Sequence, residues 1–413
     1  MPEVIVVGGG FAGLATATEL ARAGLDVVVL EARERVGGRV WSETLQADDC
    51  DAVVVERGGE FVLSEYETLE TLVAEHGLSL AETGMSYYVR EPRGMGGVDA
   101  EVLGHAGRTV ARAIDAIEAR SVLDLVTASG IPPALAEAVI ARVEISCGLE
   151  ASRLAPAAFE HVASFEPLPS HRIAGGNQRL ADAMAEALGS ARVKRSTAAL
   201  ALDRRGDRIR VRVQGGAFEA DRVVLAVPLP VLRELPIEPP LPGWKLEVLD
   251  RVEVGQAAKL HIPLARPAAT SAVMSVPDRY WCWTATQAEG RVAPVLNCFV
   301  GSPSALTGLE VNEGPARWLA RVGDLRPELA LVPSAAALTT WHDDPWALGA
   351  YRAQGLAAVD DSRLEAPVDS LHFAGEYCAG PFSGLMEGAL RSGRRAAAEI
   401  RRACSLASSD AIG

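Results

Sequence analysis

The chain has 413 residues, 49% of them apolar, and a formal net charge of −14. That length allows two or three domains with a sizeable core, and the acidic balance argues against a nucleic-acid partner. No apolar run reaches the roughly 18 residues of a membrane span, and Met1-Pro2-Glu3 leads straight into a strand without a basic or apolar leader. Six cysteines (Cys50, Cys147, Cys282, Cys298, Cys378, Cys404) and seven histidines are scattered, without C-x-x-C or any metal-ligand spacing. Reduced thiols and no metal are expected.

Val4-Ile5-Val6-Val7 reads as a buried strand. Gly8-Gly9-Gly10-Phe11-Ala12-Gly13 follows and opens an Ala/Leu-rich helix. Gly8 suits a tight turn, Gly10 a close backbone approach to a pyrophosphate, and Gly13 close packing of the helix on the strand. The N–H groups at the start of the helix, around Phe11 and Ala12, favour phosphate. A second strand, Val27–Leu30, ends in Glu31, 18 residues after Gly13 and placed to accept hydrogen bonds from ribose hydroxyls. Ala32 and Arg33 follow it. Gly37-Gly38-Arg39 then adds a sharp backbone path and a fixed cation.

Val53–Val55 predicts a short strand ending at Glu56-Arg57-Gly58-Gly59-Glu60-Phe61, whose glycine pair permits approach to a flat ring. Residues 66–76 read as a helix with Leu69, Leu72 and Val73 on one face, and 107–146 as helices broken at Gly130-Ile131-Pro132-Pro133. Ile173-Ala174-Gly175-Gly176-Asn177 opens a helix over about 178–188, and strands are predicted at 192–194, 198–203, 208–213, 218–220 and 223–227. Lys259 lies within Gly255-Gln256-Ala257-Ala258-Lys259-Leu260-His261-Ile262, a small and apolar strand. On spacing alone it reads as an edge lysine reaching solvent, because a buried lysine is rare unless paired. Trp341 and Tyr351 flank Pro345-Trp346-Ala347-Leu348-Gly349-Ala350, which by itself could be plain core. Ser383-Gly384 is predicted to start a helix through Leu385, Met386 and Glu387.

The run Val4–Arg39 resembles the FAD-binding N-terminus of the flavin-containing amine oxidases, which include monoamine and polyamine oxidases and the related L-amino-acid oxidases. Leu371–Glu376, Ser383–Ala389 and the Trp341…Tyr351 stretch are similar to that family's closing segments, so the resemblance spans the chain and is loose only over about 85–165. It implies a mixed fold, α/β and α+β. A Rossmann-like FAD-binding domain would take about 1–75, 170–245 and 345–413. A discontinuous substrate domain of sheet plus helices would take about 76–169 and 246–344, with ligand in the crevice between them. The polar segment Ser405–Gly413, where membrane-bound relatives carry an apolar helix, adds to the expectation of a soluble cytoplasmic enzyme without a membrane partner.

The resemblance also assigns residues. It places Gly58, Gly59, Glu60 and Phe61 against the flavin, the Ala199 backbone near the adenine, and Gly375 and Glu376 beside the ribityl or phosphate region. The N–H groups of Gly384, Leu385 and Met386 would face the pyrimidine edge of the flavin. Lys259 becomes the lysine that holds a water against flavin N5. Trp341 and Tyr351 stand by the ring, Tyr351 as one wall of a cage whose other wall is Leu385, with Phe382 and Trp346 as further apolar surface. Covalently flavinylated relatives have cysteine immediately before this tyrosine. Here it is Ala350, so noncovalent FAD is expected. The amino-acid oxidases carry a carboxylate-binding arginine soon after the second glycine pair, and Gly58–Ser64 has none, which favours an amine without an α-carboxylate.

The activity implied is oxidation of an amine C–N bond to an imine, by hydride transfer to flavin N5 and reoxidation by dioxygen to hydrogen peroxide. Three alternatives stay open: oxidation of a larger biosynthetic amine or amide whose imine is captured in a cyclisation, an L-amino-acid oxidase, and a flavin-binding scaffold without turnover. A homodimer is one assembly compatible with the sequence.

Overall fold

The computed structural model describes residues 2–46, 52–159, 163–206, 208–287 and 290–410. Cys50 lies outside them. Val4–Val7 is fully buried and stands at the centre of a five-stranded parallel sheet. The order across this sheet is Leu371–Phe373, Arg222–Leu225, Val4–Val7, Val27–Leu30, Val193–Lys194. Strands buried on both faces are apolar throughout, which is why these segments read as short Val/Leu runs instead of alternating ones. The chain turns to opposite sides of Val4–Val7, so a crevice opens at the carboxyl end of that strand, where parallel sheets bind ligands.

Helix Phe11–Arg22 packs on this sheet and against the long C-terminal helix Met386–Asp410. The two helices come so close that a Cβ on Gly393 would lie 2.3 Å from the Ala12 carbonyl oxygen. Helix Gln178–Leu188 flanks Phe11–Arg22, buries Leu180, Ala181, Met184 and Leu188, and begins and ends where its residue pattern predicts.

A six-stranded mixed sheet forms the other half of the molecule, in the order Ala337–Thr340, Ala257–Pro263, Val295–Gly301, Tyr280–Thr284, Ser271–Ser275, Glu91–Arg93. Helices Ala100–Arg112, Val122–Ala128 and Pro133–Cys147 contribute, with Trp281 and Trp283, to the apolar core on that side. Ala257–Pro263 is buried along its whole length and bonded on both sides, Lys259 opposing Phe299 on one neighbour and Thr339 on the other. Lys259 is therefore not an edge lysine. A four-stranded sheet, Gly216–Ala220, Arg208–Val213, Ala201–Arg205 and Ile237–Glu238, lies beside the parallel one. Among the described residues no helix is long and apolar enough to cross a membrane.

Candidate active site

The turn after Val4–Val7 is held open by glycine for steric reasons. Gly8 has φ +108°, and a Cβ there would sit 2.7 Å from the Ala226 carbonyl oxygen. A Cβ on Gly13 would lie 1.9 Å from the Gly8 carbonyl oxygen, so the helix can start this close to the strand only with glycine. At Gly10, by contrast, a Cβ would approach nothing nearer than Gly37 and Gly38 at 3.9 Å. Gly10 pairs with Gly37 in a parallel bridge, and the Gly37 N–H donates to the Gly9 carbonyl. Two glycine turns thus face each other across a groove. The helix starting at Phe11 has no side-chain cap, leaving its first N–H groups to serve an anion.

Glu31 closes this end. It is buried, with Oε2 accepting from the Gly9 N–H at 2.7 Å and Oε1 from the Arg33 N–H at 2.8 Å. Burial pushes its carboxyl up from the usual value, and those two bonds work against the shift. Arg33 is fixed in turn by Asp344 at 2.6 Å.

Arg39 pairs with Glu376 at 2.9 Å and also donates to the Ala350 carbonyl. The other oxygen of Glu376 accepts from the N–H groups of Arg352 and Gly384, each at 3.1 Å. This differs from the sequence reading in one respect. Gly384 adopts φ +83°, its N–H is captured by Glu376, and the Leu385 N–H bonds the Phe382 carbonyl, so the helix begins at Met386 and not at Ser383.

Lys259 is 4% exposed. Its ammonium donates to Glu60 Oε2 at 2.7 Å, the Glu56 carbonyl at 2.7 Å and the Gly58 carbonyl at 3.0 Å. An ammonium has three donors, and here the protein takes all three. Burial pushes the Glu60 carboxyl up, but Lys259 and Arg172 outweigh it and hold the group below its usual value. Trp283 Nε1 also donates to Glu60, at 3.2 Å.

From Glu60 an aromatic wall extends. Phe61 lies 5.2 Å from Tyr87, 5.7 Å from Trp281 and 5.5 Å from Trp283, ring centre to ring centre. Trp281 and Trp283 stack at 4.1 Å. Tyr351, whose hydroxyl donates to the Ser146 carbonyl at 2.7 Å, meets this wall. Ala350, Leu385, Trp341 and the exposed Trp346 complete the chamber.

One cavity joins the glycine groove to this chamber. Along its groove side lie Gly8, Gly10, Phe11, Ala12, Glu31, Ala32, Arg33, Gly38, Arg39 and Ala199. Toward the chamber lie Gly58, Gly59, Glu60, Phe61, Lys259, Trp341, Trp346, Tyr351, Gly375, Glu376, Gly384, Leu385 and Met386. Two of the residues picked from sequence do not line it. Gly13 packs under the turn, and Phe382 lies beneath the Arg391 guanidinium at 3.9 Å, against the core that holds the C-terminal helix. Sequence reasoning missed Tyr87, Ser146, Trp281, Trp283 and Phe299, all of which line the cavity. The Trp281-Cys282-Trp283 alternation was a usable signal, since it places both indoles on one face of a strand.

A profile described as flavin containing amine oxidoreductase matches residues 11–113 and 134–401. A Mycobacterium tuberculosis protein, provisionally named flavin-containing monoamine oxidase AofH, is 29% identical over 457 aligned positions covering 96% of each chain. Flavin-containing amine oxidase B of Cavia porcellus is 26% identical, covering 97% of this chain and 86% of its own. Putrescine oxidase, solved with putrescine bound, superimposes with a TM-score of 0.80 at 24% identity, over 97% of this chain and 99% of the other. Cyclohexylamine oxidase from Brevibacterium oxydans IH-35A gives 0.81 at 20% identity, over 98% and 99%.

Proposed function

The chain belongs to the flavin-containing amine oxidoreductase family, a class acting on CH–NH donors, and from that premise we propose that it is an amine oxidase with noncovalent FAD. The observation that carries this reading is the single cavity joining a glycine groove to an aromatic chamber. The groove fits the dinucleotide: an uncapped helix start, a space at Gly10 that a Cβ would occupy, and Glu31 at the end of the second strand. When bound, FAD would accept a hydride equivalent from the carbon bearing the amine, and dioxygen would reoxidise it with release of hydrogen peroxide.

The protein's own part is to bind, orient and exclude water. Arg39, locked by Glu376 and the Ala350 carbonyl, holds positive charge beside the cofactor groove. Phe61, Tyr351, Leu385 and Trp341 offer apolar surface on which a neutral amine can lie. Lys259 acts as a positioning residue, tying the Glu56–Glu60 loop to the sheet through three hydrogen bonds. Noncovalent binding follows from Ala350, which supplies no sulfur. Cys378 is no substitute, because it is buried outside the cavity lining and burial pushes its thiol up to about 12. In this reading the parallel sheet with its helices is the FAD-binding domain, the six-stranded sheet the substrate domain, and the enzyme works in the cytoplasm.

The test begins with the purified protein, which should be yellow and should release intact FAD on acid precipitation. Amines should then bleach the flavin anaerobically, and air should restore the colour with peroxide formed. Flavin that stays with the denatured chain would refute noncovalent binding. Failure of every amine in a broad panel to bleach it would refute the activity.

A further inference from the structure

Arg90 is 2% exposed, and one of its nitrogens, Nη1, has no hydrogen-bond partner among the described residues. Its plane lies 3.9 Å over the Trp281 ring, its Nε donates to the Tyr87 carbonyl at 3.3 Å, and its Nη2 donates to Ser146 Oγ at 3.2 Å. Arg142 donates to the same Ser146 oxygen and, at 3.1 Å, to the Ser164 carbonyl. No carboxylate among the described residues pairs with Arg90. The nearby Glu144 is engaged by Arg279 at 2.9 Å and by the Ala151 N–H at 2.8 Å. The acids closest in kind do not serve either. Burial pushes the Cys147 thiol up to about 12 and the Tyr351 phenol well above its usual value, so both are neutral near pH 7. A buried guanidinium without a counter-ion is costly, and such sites persist where a ligand completes them.

Arg90 and Arg142 themselves line a second cavity, and Ser146, which both contact, lines the main one together with Tyr87, Trp281 and Tyr351. Its oxygen already accepts from two guanidinium groups, and its own O–H donates to no described residue. A hydroxyl so polarised is a strong donor waiting for an acceptor. Tyr351 sets the spacing: its ring edge lies 3.7 Å from where a Gly384 Cβ would be, while its hydroxyl touches the Ser146 carbonyl. The electropositive end therefore lies across the Tyr351 side chain from the Glu376–Gly384 corner.

We propose that the physiological amine carries a carboxylate at its far end, received by the Ser146 hydroxyl with Arg90 behind it as a positioning residue. The proposal rests on the amine-oxidase reading and narrows its substrate to ω-amino acids and their N-substituted relatives. It disfavours diamines, whose second ammonium would face the Ser146 hydroxyl with the Arg90 charge behind it.

The test uses FAD-loaded enzyme under anaerobic conditions and reads the apparent Kd from the concentration dependence of flavin bleaching. The substrates are 4-aminobutanoate, 6-aminohexanoate, the alkylamines of equal chain length, and 1,4-diaminobutane. Pentanoate, which has no amine to oxidise, is titrated separately by calorimetry. The aminoacids should bind at least about 10-fold more tightly than the matched alkylamines, in keeping with a hydrogen bond to a charged group, and the diamine least well. Arg90→Gln should shift the aminoacids far more than the alkylamines and so remove that advantage, and Ser146→Ala should do the same and weaken pentanoate. Preference of the wild-type enzyme for alkylamines or the diamine overturns the proposal, as does an Arg90→Gln effect equal for all substrates. If Arg90→Gln does not fold, Ser146→Ala and the pentanoate titration decide. If no amine of any kind bleaches the flavin, the amine-oxidase reading falls and the substrate proposal with it.

Discussion

Lys259 was visible in the sequence because a charged residue interrupts a small, apolar strand. Its partners were not, because Glu56, Gly58 and Glu60 lie about 200 positions earlier and no local pattern announces the pairing. The same holds for Arg90, which no motif singles out and which the fold buries on Trp281. With all three ammonium donors satisfied by protein, Lys259→Met should act first on stability. It leaves Glu60 buried with only Arg172 at 3.6 Å and Trp283 beside it, a loss on the order of 3 kcal/mol. Adding Glu60→Gln to Lys259→Met should recover part of the melting temperature. If Lys259→Met instead slows flavin reduction or reoxidation at unchanged melting temperature, the lysine holds a water at the flavin, as the resemblance implies. Leu385 poses a different question. Facing a chamber already walled by Phe61, Tyr87 and Trp281, Leu385→Tyr should narrow the passage. For bulky amines kcat/KM should then fall by about 100-fold, while small amines hold or gain. An equal change for both classes would remove Leu385 from the substrate path.

The strand–turn–helix at the N-terminus was legible because its cause is local: glycines where backbone atoms nearly touch, then a helix whose first N–H groups face a groove. The six-stranded sheet was not, since Glu91–Arg93 pairs with Ser271–Ser275 from a distant part of the chain and carries no alternation of its own. The C-terminal helix falls between these cases. That a helix runs through Met386 and Glu387 was readable, but its start was misplaced because a carboxylate from Glu376, not the helix ladder, takes the Gly384 N–H. Gly13 tests the local argument. In Gly13→Ala the new Cβ would lie 1.9 Å from the Gly8 carbonyl oxygen and 3.1 Å from Val6, so the helix must lift from the strand. The expected cost is about 1–3 kcal/mol of stability, together with weaker FAD retention measured by dialysis. Gly323→Ala is the control, because Gly323 lies within helix Ala316–Leu325 and a Cβ there meets nothing. It should be neutral or stabilise by about 0.5–1 kcal/mol, from helix propensity. Equal FAD retention in the two variants would show that the Gly8–Gly13 approach does not shape the groove.

Two buried groups near Lys259 connect the site to the pH response of the whole molecule. Burial pushes the Glu56 carboxyl up to about 7, from an ordinary 4.5, against hydrogen bonds from the Asn177 N–H and the Ser42 hydroxyl. Burial, reinforced by the Lys259 charge, pulls His261 down to about 3 from 6.5. Between pH 4.5 and 7 the folded chain keeps the Glu56 proton and the unfolded chain has lost it, so rising pH favours unfolding in that window. Between pH 3 and 6.5 the unfolded chain protonates His261 and the folded chain does not, so falling pH favours unfolding there. The two slopes oppose each other from pH 4.5 to 6.5, each at most about 1.4 kcal/mol per pH unit. Glu56→Gln mimics the protonated acid in size and removes one of them. Relative to wild type, the variant should gain stability steadily as pH rises from about 5 to 7 and keep that gain above pH 7. Denaturant titrations at pH 5, 6 and 7 with saturating FAD measure the difference, in which every other titrating group cancels. Parallel pH profiles for the two proteins would mean that Glu56 ionises normally in the fold, and the opposition between Glu56 and His261 would not exist.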